Sequence, residues 1–369
     1  MPNYLSCGKP IFVSNFIRLK RFWTKLTNWE LWPFSLIYAP LGFVWLYYAL
    51  KARHFWFVSP VNPTIEFSGL EGEGKREMYD QLPKYLYPKT IYIDPSLSFD
   101  HLTDEINAAG FNYPFLVKPD VGMKGMLMRK INNEEQLKYY HDKVTVDYVI
   151  QDLVTLTMEF SVFHIRYPGE QNGIVTGFIA KDYMAVIGDG TSTLKQLIDA
   201  HPKAKFRDEE MTMRHGDNFS NVIPAGEKYY LSIAGNHNRG ANFVNLKNEI
   251  DEQLCEVFDK ISLEVGTFYY GRYDLKCTSV EDLKQGKNIS ILEFNGVGAE
   301  PNHIYDCGMS YKQALQEIVM HWKHMYKIGR INYIQSGVPY WSFWKGYKYL
   351  SKAKKFFKSM HRADLECKI

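Results

Sequence analysis

"ILEFNGVGAEPNHIYD", residues 291–306, begins as a buried strand and then departs from one. Glu293 and Asn295 flank Phe294, and successive strand residues point to opposite faces, so a carboxylate and an amide share one face. Just upstream, "YYGRYDLKC" (269–277) sets Arg272 and Asp274 two apart, again on one face. If the two strands pair, Asp274, Glu293 and Asn295 converge beside a guanidinium. Three hard oxygen donors next to an arginine suit a divalent cation on a polyphosphate, with Arg272 balancing charge on a transferred phosphoryl group. A salt bridge from Arg272 to Asp274 or Glu293, with Asn295 as a turn residue, fits the same spacing. These residues alone leave both readings open.

A second stretch bears on the choice. "YPFLVKPDVGMKGMLMRKI" (113–131) ends an apolar strand on Lys118 and follows it with Gly122 and Gly125 before another apolar run. Glycines let a backbone approach a phosphate closely, and loop N–H groups with Lys118 would bind its oxygens. An ordinary hairpin has the same pattern.

Around these stretches the chain alternates strand and helix signals. "TIYIDP" (90–95) and "YPFLVKP" (113–119) read as strands, and 131–144 as a helix with Asn132 or Asn133 near its N-cap. Short strands follow to residue 187, and "GDGTSTLKQLIDAH" (188–201) reads as a glycine turn feeding a helix capped by Thr191 or Ser192. Helices are expected at about 247–265 and 310–329, with the two strands of the opening pair between them. The class is α+β with antiparallel pairs.

The order of these stretches is specific. Lys118 with its glycine loop, "IQDLV" (150–154), Glu159 opening "EFSV", "GRYDLK" and "LEFN" follow as in the ATP-grasp superfamily. Over about residues 75–325 the sequence resembles that superfamily, most of all its D-alanine–D-alanine ligase and cyanophycin synthetase branches. The resemblance implies an ATP-grasp fold, two α+β lobes gripping ATP, with a reduced pre-ATP-grasp region and an apolar N-terminal segment. Together with the composition of the ends, it divides the chain into 1–53, a basic and apolar membrane-associating segment; 54–112, the reduced region; 113–330, the ATP-grasp domain; and 331–369, a basic aromatic tail.

The resemblance also implies roles. Lys118, with Lys75 as a second, would bind the ATP phosphates together with the Gly122 and Gly125 loop. Gln151, Asp152, Leu153 and Val154 would form the hinge against adenine, Glu159 would hold the ribose, and Asp274, Glu293 and Asn295 would hold Mg2+ or Mn2+. Arg272 would stabilise an acyl phosphate and its successor. "GNHNRGAN" (235–242) resembles an element of the glutamate-ligase branch, which sets Asn236 and Arg239 near the phosphates or the acceptor. The implied activity is ADP-forming carboxylate–amine ligation, acting on a small-molecule carboxylate and amine. Kinases and non-catalytic scaffolds share such folds, and loss of the metal ligands would mark a scaffold.

The sequence also departs from the family. No serine matches the dipeptide-binding position after the metal strand. "GAEPNHIYD" stands there instead, with Glu300, His303 and Tyr305 as acceptor contacts or surface-loop residues. His164, His215, His237 and His321 show no ligand spacing such as H-E-x-x-H and read as surface or core histidines.

Composition bounds the rest. A chain of 369 residues that is 46% hydrophobic can bury a large core and is not disordered. Its five cysteines are scattered and odd in number, which argues against a disulfide framework and for a reducing cytosol. Residues 1–30 carry five basic side chains against one acidic, and 340–369 carry eight against two, so the body between is acidic although the net charge is only +3. Between Glu30 and Lys51 runs "LWPFSLIYAPLGFVWLYYAL", free of formal charge and long enough to cross a bilayer, though Pro33, Pro40 and Gly42 weaken a spanning helix. The tail from Pro339 interleaves aromatics with lysines, as interfacial helices on anionic lipid do. The expectation is a cytoplasmic protein held at the inner membrane face, with no nucleic-acid partner; terminal helices packed on the body are the alternative.

Overall fold

The computed structural model describes residues 23–24, 26–123, 125–232, 235 and 240–367. The strands among them run in chain order as β1 (Thr90–Ile93), β2 (Phe115–Pro119), β3 (Arg129–Ile131), β4 (Tyr148–Asp152), β5 (Met158–Ile165), β6 (Ile174–Asp182), β7 (Ala185–Ile187), β8 (Lys228–Tyr230), β9 (Asn242–Asn245), β10 (Tyr270–Cys277) and β11 (Ser290–Asn295). One antiparallel sheet has the order β1-β4-β2-β3 and a second the order β11-β10-β5-β6-β9, while β7 and β8 form a separate ribbon. The fold is α+β. β1 lies upstream of residue 113 and still pairs along its whole length with β4.

Alternation explains how the second sheet is used. Phe160, Val162, Phe178, Tyr273, Leu275 and Phe294 bury one face against Leu254, Phe258 and Ile261 of the helix Glu252–Val265. The residues between them, Glu159, Ser161, Arg272, Asp274, Glu293 and Asn295, therefore line the opposite face. That helix starts later than 247 because the Asp251 side chain accepts from the Leu254 N–H and fixes the cap there, leaving Lys247–Glu249 as a 3-10 turn.

The first sheet packs Phe115, Val117, Tyr148 and Ile150 against Leu137 and Tyr140 of the helix Glu134–Lys143, which Asn133 caps. Phe357 and Met360 of the C-terminal helix Phe343–Glu366 join the same core. The tail is thus packed on the body along much of its length, as the alternative reading expected.

Two other boundaries move. Asp189 Oδ1 accepts from the N–H groups of both Thr191 and Ser192, so the glycine turn consumes them and the cap passes to Thr193, in a capping box with Gln196. The helix expected at 310–329 runs Tyr311–Gln335, capped by Ser310.

Near the N-terminus, Phe34–Tyr38, the 3-10 turn Ala39–Leu41 and Gly42–Ala52 make a 19-residue helical run, long and apolar enough by length and composition to cross a membrane. Pro33 caps the run, and Pro40 is absorbed in its 3-10 turn. Ile37, Leu41, Tyr48 and Ala49 are buried against the body, and Tyr48 stacks on Tyr326 at 5.2 Å. The basic residues Lys9, Arg18, Lys20, Arg21 and Lys25 lie outside the described residues.

Candidate active site

The strands of the opening argument do pair. Asp274 lies opposite Glu293, and Arg272 opposite Asn295, so all four share the polar face of the second sheet. The register then slips: Leu275 pairs with Ile291, which leaves Leu292 as an extra residue, a β-bulge. A bulged carbonyl is released from the ladder, and Leu292 O accepts from Tyr79 Oη at 2.6 Å and from Lys118 Nζ at 3.4 Å. Tyr79 Oη in turn accepts from Gln151 Nε2 at 3.1 Å. Lys118 and Gln151 belong to the first sheet, so this chain of bonds ties the two sheets together at β11.

Asp274 is the centre of charge. Arg272 Nε donates to it at 3.2 Å, Lys181 Nζ lies 3.0 Å from Oδ1, Asn295 Nδ2 donates to Oδ2 at 3.2 Å, and Ser161 Oγ donates to Oδ1. Burial alone would raise the carboxyl, but Arg272, Lys181 and Ser161 hold it down at about 2. Asp274 is therefore ionised at any physiological pH. Lys181 also reaches Glu159 Oε1 at 3.1 Å; burial disfavours its charge, yet the two carboxylates keep its pKa above the ordinary lysine value. Arg272 Nη1 donates to Glu300 O at 3.0 Å, and Tyr305 Oη to Glu300 Oε1 at 3.1 Å, which joins the 300–305 loop to the site.

Both lysines read from the sequence enter the same cleft. Lys75 is buried, 3.9 Å from Glu293 Oε1, and its Nζ donates to Asp120 O at 3.1 Å. A Cβ on Gly122 would stand 3.7 Å from that Nζ, so the glycine loop and both lysines are neighbours. Gly125 has φ +67, the left-handed region that glycine favours. Burial pushes Lys118 down to about 8 against the opposing charges of Glu293 and Glu159, and pushes Lys75 down too. Glu293 keeps 40% of its side chain exposed, so its oxygens face the cleft.

The residues expected to form the hinge, 151–154, are more committed than the sequence implied. Gln151 turns its side chain inward to Tyr79 and Thr90. The Asp152 N–H is taken by Lys89 O at 3.0 Å, and Val154 O accepts from Lys276 Nζ at 3.1 Å. Leu153 is exposed. Glu159 is bonded by Lys181 and by Tyr183 Oη. Asn236 and Arg239 lie outside the described residues; Gly235, just before them, is so close to Glu159 that a Cβ there would overlap Oε1.

Sequence reasoning missed Lys181, Ser161 and Tyr79. Ser161 is two residues from Glu159 and so on its face, a signal that period-two reading could have used. Lys181 ends the apolar run "GFIAK" much as Lys118 ends its own, whereas Tyr79 has no signal in the sequence.

No family model and no curated protein sequence matches the chain. Solved structures do. A D-alanine–D-alanine ligase from Bacillus anthracis is similar at 15% identity and TM-score 0.38, over 69% of this chain and 68% of that one. VanG, a D-Ala:D-Ser ligase from Enterococcus faecalis, is similar at 14% and 0.36, over 64% of this chain and 57% of that one. A bifunctional glutathione synthetase from Pasteurella multocida is similar at 14% and 0.35, over 64% of this chain. The match spans 34% of that synthetase.

Proposed function

We propose that this protein is an ATP-dependent carboxylate–amine ligase of ATP-grasp type. The observation that carries the reading is the convergence of Asp274, Glu293 and Asn295 on one sheet face, opposite Lys118 from the other sheet and Lys75 from the helix Lys75–Tyr79. Two carboxylates and an amide oxygen are the donors that Mg2+ or Mn2+ prefers. Asp274 is ionised, and Lys75, Lys181 and Arg272 now balance charge that a cation would share, so the residues fit such an ion. When bound, the ion supplies neutralisation of phosphate charge.

The chain's own residues supply the rest. Lys118, Lys75 and the N–H groups of the Gly122–Gly125 loop hold the phosphates, residues 151–154 border adenine, and Glu159 takes the ribose hydroxyls. Asn236 and Arg239 act at the phosphates or acceptor. A substrate carboxylate oxygen attacks the γ-phosphorus and ADP leaves, giving an acyl phosphate. The amine then attacks the acyl carbon and phosphate leaves, with Arg272 balancing charge in both steps. The protein works in the cytoplasm at an anionic membrane face.

The test is ADP and phosphate release with Mg-ATP and fractionated metabolites and lipids, with hydroxylamine as a surrogate amine, beside Asp274→Asn. Equal ADP and phosphate, with a hydroxamate formed by the native protein only, is the expected result. ADP without phosphate or hydroxamate would mean a kinase, and ATP binding without turnover in any fraction would mean a scaffold.

A further inference from the structure

Further along the same sheet face lies a second cluster of ligating groups that the ligase reading does not use. His303 comes from the 3-10 turn Asn302–Ile304, and Glu317 and His321 come from the helix Tyr311–Gln335, where a spacing of four sets them on one side. One ligand atom from each lies within 4.8 Å of the others. His303 Nε2 is 2.9 Å, and His321 Nε2 3.6 Å, from Glu317 Oε1. Zinc bonds of about 2.0–2.2 Å in tetrahedral geometry separate donor atoms by about 3.3 Å, between those two distances.

The orientation of His321 is the second observation. Its side chain is 1% exposed, its Nδ1 is bonded to Tyr270 Oη at 3.0 Å, and Phe163 meets the ring edge-on at 4.5 Å. Nε2 is thereby aimed at Glu317, yet at 3.6 Å it falls short of a hydrogen bond, and among the described residues it has no other partner. A ring held through one nitrogen by an oxygen, with the other turned to a carboxylate, is the arrangement of a metal-bound imidazole. His303 is seated as firmly: Gly177 lies under it in β6, and a Cβ there would overlap the ring.

We propose that His303, Glu317 and His321 form a binding site for a first-row transition metal of the zinc class, separate from the Asp274, Glu293 and Asn295 set. Two imidazoles with one carboxylate favour such an ion over magnesium, and three protein ligands leave a fourth position open. Tyr270 shares the face of Asp274 but is four residues away on β10, about 13 Å along the strand, so one ion cannot serve both sets. The cluster escapes a motif search because His303 and the Glu317–His321 pair belong to different elements. The inference does not rest on the ligase reading.

The experiment uses the full chain, stripped with a chelator and titrated with Zn2+ or Co2+ alone. Elemental analysis and Co2+ absorption should show one equivalent with a tetrahedral d–d band, retained in Asp274→Asn and weakened at least about tenfold in His303→Gln. His303 is buried, so circular dichroism checks that variant, and Glu317→Gln, at a more exposed ligand, should show the same loss. Absence of a stoichiometric d–d band in the native protein overturns the proposal whatever the variants do. It is equally overturned if both ligand variants bind as the native chain does, or if Asp274→Asn alone removes the metal.

Discussion

Lys118 is a lysine that burial has brought within reach of neutrality. Among the described residues its Nζ hydrogen-bonds to Tyr79 Oη and Leu292 O, both at 3.4 Å, and its pKa falls to about 8, with Glu293 and Glu159 the carboxylates acting on it and Lys75 nearby. Phosphate oxygens would favour the charged form, so Mg-ATP binding near pH 8 should take up a proton. Above about 8 the free protein loses that proton, and affinity should fall by up to about tenfold per pH unit. Titration calorimetry in buffers of different ionisation enthalpy checks this; Lys118→Arg, charged throughout, should lose most of the uptake. Affinity that is flat from pH 7 to 10 would remove Lys118 from the phosphate site. The place of Lys118 before the glycine loop was legible from the apolar strand that it ends, and the shared face of Asp274, Glu293 and Asn295 from period two. Lys181 was not, since nothing in a linear sequence shows that it lies between Asp274 and Glu159.

At the scale of elements, the strands and most helices were legible from alternation and caps, whereas their irregularities were not. The bulge at Leu292 comes from pairing with β10, and no residue type announces it, yet it releases the carbonyl that joins the two sheets. The C-terminal helix is a similar case, because its lysines and aromatics signal a surface while its packing is tertiary. Asp364 of that helix accepts from the Leu127 N–H at 2.8 Å and pairs with Arg129 at 3.0 Å. Leu127 has φ +55, a left-handed conformation costly for leucine, and it lies in the glycine loop. Asp364→Ala would leave the buried Leu127 N–H without its acceptor and take the carboxylate from the largely buried Arg129 guanidinium, which keeps Asp364 O and Cys367 O as acceptors. The expected cost is about 3 kcal/mol by chemical denaturation, with a raised KM for ATP and a nearly unchanged kcat. Asp364→Asn, which still accepts from Leu127, should restore much of the KM. An unchanged KM in the alanine variant would mean that the helix steadies the sheet without shaping the loop.

For the whole molecule, the end of the helical run Phe34–Ala52 meets the start of the C-terminal helix. Phe43 and Leu50 on the N-terminal helix are 82% and 70% exposed, with Leu46 and Tyr47 exposed between them, while the opposite side of that helix is buried. The Phe55 ring lies edge-on to Phe343 with centroids 5.3 Å apart, and Phe343, Trp344 and Tyr347 are exposed at the start of the C-terminal helix, so the apolar residues continue from one helix to the other. Lys51, Arg53, Lys345, Lys348 and Lys352 are exposed around them. Sequence showed the composition of this surface but not that one helix keeps one side for the body and the other for the outside. A helix divided in that way suits the plane of a membrane interface better than a span, with lysines drawn to anionic headgroups. Vesicles containing phosphatidylserine should therefore sediment the protein, neutral phosphatidylcholine vesicles should not, and salt should weaken the binding. Phe43→Ser with Leu50→Ser should lower vesicle affinity roughly 10- to 100-fold, since an apolar side chain contributes about 1.5–3 kcal/mol when fully buried and roughly half of that when seated in the interface, and leave ATP affinity unchanged. Alkaline carbonate should release the protein from membranes, because the buried side of the helix holds it to the body. Retention after carbonate would favour a span, and equal sedimentation of native and doubly substituted protein would mean that this aromatic face is not what meets lipid.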